Sequence, residues 1–164
     1  VTTESAPRFS EASLAAYRAL LGRYPTRRAA LMPTLWLAQQ EFGWLSLPVQ
    51  QYVAELMELP LAWVTSVASF YTMYWKEPKG RWHIQVCRNL SCMLRGAGDV
   101  IQAVEDRLGI HHGERTADGR FSLEEVECLA SCGTAPCLQL NNTEYHENLD
   151  VPRTLALLER LTRE

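Results

Sequence analysis

Two cysteine pairs in this chain have spacings suited to metal chemistry: Cys87-x4-Cys92 and, after a gap of 35 residues, Cys128-x3-Cys132. A fifth, Cys137, ends the segment VECLASCGTAPC (126–137). Thiolates are the donors that zinc and iron-sulfur centres prefer. Structural zinc usually sits in C-x2-C turns, because one tetrahedral ion with Zn–S near about 2.3 Å needs two sulfurs close together. The loops here are longer. A 2Fe-2S rhomb also takes four cysteines, two on each iron, and so accepts wider pairs, although this spacing departs from the plant-type C-x4-C-x2-C…C pattern. The residues alone leave three readings open: a 2Fe-2S cluster first, one zinc ion second, buried or redox-active thiols third. No C-x-x-C occurs, so disulfide exchange lacks its usual motif.

The elements that must position these cysteines follow from period and punctuation. RWHIQVC (81–87) alternates as a strand delivering Cys87, and FSLEEVEC (121–128) as a second delivering Cys128. Between them GDVIQAVEDRLGI (98–110) reads as a helix with Val100, Ile101, Val104 and Leu108 inward. A crossover of that kind makes the two strands parallel neighbours, so both cysteine loops emerge at one sheet edge, where open α/β sheets place ligands. CLQLNN and EYHENL pair as a hairpin around the turn residues NNT, which puts Cys137 at the start of a strand. Asp150 caps a last helix with Leu155, Leu158 and Leu161 on one face.

Upstream the period is helical. Ser10 caps a helix carrying Leu14, Tyr17, Leu20 and Leu21; Thr26 caps a second, with Pro33 as an early kink and Gly43 as its stop. Ser46 caps a third, and a fourth starts near Pro60 and runs into the aromatic segment FYTMYW (70–75), which reads as core or as a partner-facing patch. The expected organisation is a flexible tail over 1–9, a helical bundle over 10–75, a polar break KEPKG (76–80), and an α/β domain over 81–164.

Composition narrows the function. At 164 residues, 47% hydrophobic and 21% charged, the chain is of ordinary globular type, and its formal charge of -3 offers no field for a phosphate backbone, so no nucleic acid partner is expected. No apolar run spans a bilayer and no secretory leader appears, so direct membrane insertion is not expected and the cysteines read as thiols or ligands in a reducing compartment. RGAGD (95–99) lacks the third glycine of a dinucleotide fingerprint, since Ile101 stands there. His83, His111, His112 and His146 lack ligand spacing.

Taken together, VCRNLSCMLRGA, VECLASCGTAPC, NNTEYHENL, FGWLSLP and VASFYTMY resemble the thioredoxin-like 2Fe-2S subunit of the NADH-oxidising module of respiratory complex I, the 24 kDa subunit family of NADH:quinone oxidoreductase. Related subunits serve NAD-linked hydrogenases and formate dehydrogenases. The resemblance implies an α+β chain: an N-terminal helical bundle, then a thioredoxin-like α/β domain with a small mixed sheet. It implies one 2Fe-2S cluster held by Cys87 and Cys92 at one end and Cys128 and Cys132 at the other, with Cys137 a buried thiol outside the ligand set. It further implies a tight heterodimer with a flavoprotein subunit that binds FMN, NADH and a 4Fe-4S cluster, inside the larger complex I assembly. The chain then carries electrons as a subunit of the oxidoreductase and has no complete active site. Its expected location is the cytoplasm, or the cytoplasmic face of the inner membrane as part of a peripheral arm. A free-standing thioredoxin-like ferredoxin and a zinc-stabilised interaction module are the rival readings.

A cluster with four thiolates carries a charge of about -2, and reduction makes it about -3, so a potential on the order of -400 mV is expected unless backbone N–H groups offset the charge. Gly96, Ala97, Ala130, Gly133 and Ala135 are small enough to let such groups approach sulfur, and Met93, Leu94 and Leu129 could exclude water. Loop geometry and ordinary packing explain any one of these equally well.

Overall fold

A computed structural model describes residues 6–164, which fall into two compact units, one running to Pro78 and the other spanning Lys79–Glu164. Of the tail expected over 1–9, residues 1–5 lie outside the described residues. Phe9 is buried, stacked on Phe42 with ring centroids 5.7 Å apart and edge-on to Tyr52 at 5.3 Å. Its N–H donates to the Tyr52 hydroxyl at 3.0 Å, so packed chain begins before Ser10.

The first unit is helical. The helix α1 (Glu11–Leu21) starts where the Ser10 hydroxyl accepts the Ser13 N–H, satisfying one of the donors that every helix start leaves over. Thr26 caps in the same way, but it opens a single 3-10 turn (Arg28–Ala30) that leads into α2 (Leu31–Phe42). Pro33 therefore falls in the first turn of α2, where its missing N–H costs no helical hydrogen bond. Ser46 caps α3 (Leu47–Met57), and α4 (Leu61–Phe70) follows Pro60. Leu31, Leu35 and Ala38 of α2, Val49, Val53 and Met57 of α3, and Val64 and Ala68 of α4 form the core. The aromatic segment divides: Phe70 is 78% exposed, while Tyr74 is buried with its hydroxyl on the Met32 carbonyl at 2.8 Å. The buried Gln39 amide donates to the Met73 carbonyl at 2.9 Å and accepts the Trp75 N–H at 2.6 Å, which pins that turn to α2.

The second unit holds strands β1 (Trp82–Cys87), β2 (Phe121–Val126), β3 (Leu138–Leu140) and β4 (Glu144–His146) in the order β2-β1-β3-β4. β1 runs parallel to β2, from Trp82 opposite Phe121 to Cys87 opposite Val126, and antiparallel to β3. The crossover contains α5 (Leu90–Leu94) and α6 (Ala97–Leu108), and α7 (Val151–Arg163) starts at the Asp150 cap. Ile84, Val86, Phe121, Leu123, Leu138 and Leu140 of the sheet bury against Val100, Val104, Leu157, Leu158 and Leu161. Ile101 and Leu108 are only partly buried, and Leu155, expected inward, is exposed on the groove between α6 and α7. No helix among the described residues is long and apolar enough to cross a membrane.

β1 is buried on both faces, because its alternate residues His83, Gln85 and Cys87 are also inaccessible. The Ser122 hydroxyl accepts the Gly80 N–H at 2.9 Å and is hydrogen-bonded to His83 Nδ1 at 2.8 Å, while Nε2 of the same ring is hydrogen-bonded to Glu124 at 2.8 Å. This serine is buried, with its hydroxyl held between Gly80 and His83, so the serine-histidine-glutamate set reads as a structural network and not as a nucleophile. The hydrogen bond from His83 holds the Glu124 carboxyl below its ordinary value despite burial, and the charges of His83, Lys79 and His112 act in the same direction. A carboxyl depressed in the folded state stabilises it above the unfolded value, near 4.5, and that contribution disappears as pH falls through the folded value. Glu124→Gln is expected to cost about 1.5–3 kcal/mol at neutral pH and to flatten the loss of stability in acid, both readable in urea denaturation across a pH series.

Candidate metal centre

The C-terminal ends of β1 and β2 and the N-terminal end of β3 meet at one edge of the sheet, and the segments that leave them carry all five free cysteines. β1 delivers Cys87. The chain then turns at Asn89, whose Oδ1 accepts the Leu90 N–H at 2.8 Å and starts α5, the short helix that carries Cys92. Nδ2 of the same residue donates to the Glu127 carbonyl at 2.8 Å, and the Arg88 N–H donates to the Val126 carbonyl at 3.0 Å. These bonds tie the loop after β1 to the loop after β2. Sequence reasoning missed both α5 and the Asn89 tie, although asparagine three residues before Cys92 is a recognisable cap.

β2 ends at Val126, two residues short of the predicted delivery of Cys128. The reason is that its neighbour β1 ends opposite, at Cys87, and the chain there leaves the sheet for α5. Cys128 and Cys132 are consequently exposed on the loop beyond β2. Ala130 takes a left-handed conformation (φ +60°) that turns its N–H onto the Cys128 sulfur at 3.3 Å. Cys132 opens a 3-10 turn (Cys132–Thr134). Its flanks are held by the Glu147 carboxylate, which accepts from the Ser131 hydroxyl and, at 2.7 Å, from that of Thr134. These two hydroxyls keep Glu147 below its ordinary value.

The remaining thiols are buried together. Sγ atoms of Cys87, Cys92 and Cys137 all lie within 4.8 Å of one another, with Cys92 and Cys137 at 4.0 Å. The Cys87 N–H donates to the Cys137 carbonyl at 3.1 Å across the β1–β3 pair, and Ala97, Ala135 and Leu129 wall the group. Burial raises the Cys87 thiol, but the backbone N–H groups of Asn89 and Leu129 outweigh it and bring the thiol below its ordinary value. Burial and the neighbouring Cys87 push Cys92 up, and burial with the charge of Cys92 pushes Cys137 to about 12. The N–H groups that reach sulfur come from Asn89 and Leu129 at Cys87, Cys137 at Cys92 and Ala130 at Cys128; Ala97 and Ala135 serve as wall instead. Met93 and Leu94, expected to exclude water, are exposed in this chain.

A profile of the thioredoxin-like 2Fe-2S ferredoxin family matches residues 17–162. The chain belongs to this family. Among its relatives, an NADH-quinone oxidoreductase subunit of Rhizobium meliloti (strain 1021) is 48% identical over 141 residues, covering 86% of this chain and 83% of the relative. The corresponding NADH-quinone oxidoreductase subunit of Rickettsia bellii (strain RML369-C) is 40% identical over 156 residues, 93% of each chain. The fold is also that of part of an NAD+-reducing NiFe hydrogenase in its air-oxidised state, with a TM-score of 0.71 at 23% identity over 81% of this chain. The match occupies 23% of the hydrogenase chain. At that identity the likeness concerns architecture alone.

The cysteines present suit the cluster that the family name states. A 2Fe-2S centre takes four thiolates. Five free cysteines stand on and around two loops that are bonded to each other through Asn89 and Arg88, and backbone N–H groups already point at three of the sulfurs.

Proposed function

We propose that this chain is the electron-transfer subunit of the NADH-binding module of an NADH:quinone oxidoreductase and holds one 2Fe-2S cluster through Cys87, Cys92, Cys128 and Cys132. The observation that carries this reading is the register of β1 on β2, which brings both cysteine loops to one edge of the sheet. The 48% identity to the Rhizobium NADH-quinone oxidoreductase protein supports the choice of host assembly. The cluster supplies one-electron storage and transfer. The protein's own part is electrostatic: the N–H groups of Asn89, Leu129 and Ala130 offset negative charge at sulfur, and the Asn89 and Glu147 bonds hold the two loops in place.

In this reading NADH, FMN and a 4Fe-4S cluster belong to a flavoprotein partner that binds this subunit tightly, and the complete active site lies there. Leu90 (69% exposed) and Leu94 (78%) flank Cys92 on α5 and suit the apolar centre of such an interface. The pair sits in the peripheral arm of the complex, on the cytoplasmic side. Purified anaerobically and reconstituted with iron and sulfide, the full chain is expected to take up two irons and two sulfides, show visible sulfur-to-iron charge-transfer bands, and give an EPR signal on reduction. A colourless protein with no EPR signal would overturn the proposal.

A further inference from the structure

The assigned cluster uses four of the five cysteines, yet the tightest thiol group in the chain is a different set. Cys87, Cys92 and Cys137 are all buried with Sγ atoms within 4.8 Å of one another, whereas Cys128 and Cys132 are exposed. Three thiolates around one ion at a metal–sulfur distance of about 2.3 Å stand about 4.0 Å apart if the ion lies in their plane, and about 3.8 Å apart if it is tetrahedral. The Cys92–Cys137 separation is already 4.0 Å. The widest separation needs to close by roughly 1 Å at most, which small side-chain torsions supply.

We propose that, before the cluster is assembled, Cys87, Cys92 and Cys137 form a three-thiolate site for a single thiophilic cation of the zinc class. The fourth position of the ion is left to a small donor such as water, as in zinc sites with three protein ligands. The three residues come from three separately fixed elements. Cys87 ends β1, Cys92 sits on α5, and Cys137 precedes β3 with its carbonyl bonded to the Cys87 N–H. The site is therefore largely built by the fold and not by the ion. Its walls, Ala97, Ala135 and Leu129, are apolar and place no competing donor beside the sulfurs. Binding converts S–H to metal thiolate and releases the protons to solvent. Two of the three ligands belong to the proposed cluster set, so the ion and the cluster exclude each other, and this cation competes with iron during assembly.

The test uses the full chain, iron-free and reduced, titrated anaerobically with cobalt(II) chloride as the spectroscopic probe and then with zinc chloride. The expected result is one cobalt per chain with thiolate-to-cobalt charge transfer, displaced by one zinc. Cys128→Ala/Cys132→Ala should retain this signal, and Cys137→Ala should lose it at micromolar cobalt. Cys137→Val, which fills the space that alanine leaves empty, guards against a cavity-induced fold defect, with circular dichroism as the check. Absence of cobalt binding, loss of the signal in the double variant, or its survival in both Cys137 variants would each overturn the site. Cluster reconstitution in the same preparations reads out independently. Cys137→Ala is expected to assemble the cluster and the double variant to fail, so failure of the single-ion site leaves the cluster assignment standing, and the reverse.

Discussion

Cys132→Ala is expected to abolish cluster retention, while Cys137→Ala leaves iron and sulfide content close to that of the unaltered chain. Burial by itself argues the opposite, since Cys137 is fully buried beside Cys92 and Cys132 is exposed. The decisive consideration is the number and reach of the ligands. Three sulfurs within 4.8 Å of one another crowd around one ion, whereas two irons need two thiolates each, set at opposite ends. Cys128 and Cys132 lie on a separate loop tied against the first, away from the buried trio, and Leu129 between them already bonds through its N–H to Cys87. Removing either therefore leaves one iron short of a ligand, and the remaining cysteine of that segment, Cys137, is buried against Cys92 at 4.0 Å and is not free to take the vacant place. Exposure of the pair is in keeping with a cluster face that the flavoprotein covers in the proposed complex. Iron and sulfide assays and the amplitude of the reduced EPR signal, taken on both variants, decide the matter. Equal retention by Cys132→Ala would show that the ligand set is drawn wrongly.

How much of this could be read from residues differs along the chain. Ser10, Ser46 and Asp150 announce their helices because a capping oxygen and an apolar stripe agree at each. The parallel pairing of β1 and β2 follows from a helix of 12 residues between them, since a crossover of that length leaves few alternatives. α5 is hidden because five residues make less than two turns and show no period. Alternation in RWHIQVC marks a strand but does not show that its polar residues His83 and Gln85 are buried. They are buried because Ser122, Glu124 and Asn142 on neighbouring segments supply the partners that a buried polar side chain requires. Those partners lie 39 to 57 residues away, beyond any local pattern.

The same distance limit governs the cysteines. Spacing isolates Cys137 from the two pairs, and period 2 starts a strand at it without deciding which way its side chain points; the strand begins one residue later, at Leu138, and Cys137 is buried. Its approach to Cys92 is a product of the β1–β3 register, in which Val86 faces Leu138 and Cys87 is bonded to Cys137. A hairpin read from CLQLNN and EYHENL fixes β3 against β4 but says nothing of which strand β3 joins on its other side.

Gly80→Ala is expected to destabilise the second unit by about 3 kcal/mol or more, the upper range for forcing atoms into a packed site. A Cβ built on Gly80 would stand 2.3 Å from the carbonyl carbon of Phe121 and 2.7 Å from its Cα and oxygen. All three are backbone atoms at the start of β2, paired with Trp82, and cannot swing aside as a side-chain tip would. Relief requires β1 and β2 to separate where the Trp82 N–H donates to the Arg120 carbonyl at 2.8 Å. It also draws the Gly80 N–H from Ser122, disturbing the hydroxyl that orients His83. In a unit of this size each kcal/mol moves the midpoint by roughly 4–8 °C, so a fall of more than about 10 °C follows. Gly98→Ala is the control. It lies in α6 with only the Met93 methyl at 3.8 Å, and there alanine removes chain entropy from the unfolded state and raises stability by up to about 1 kcal/mol. Hydrogen exchange of the β1 and β2 amides measures both variants locally, without assuming that the two units unfold together. If Gly80→Ala protected those amides as well as glycine does, the close backbone approach of β1 to β2 would not be the constraint that keeps residue 80 free of a side chain.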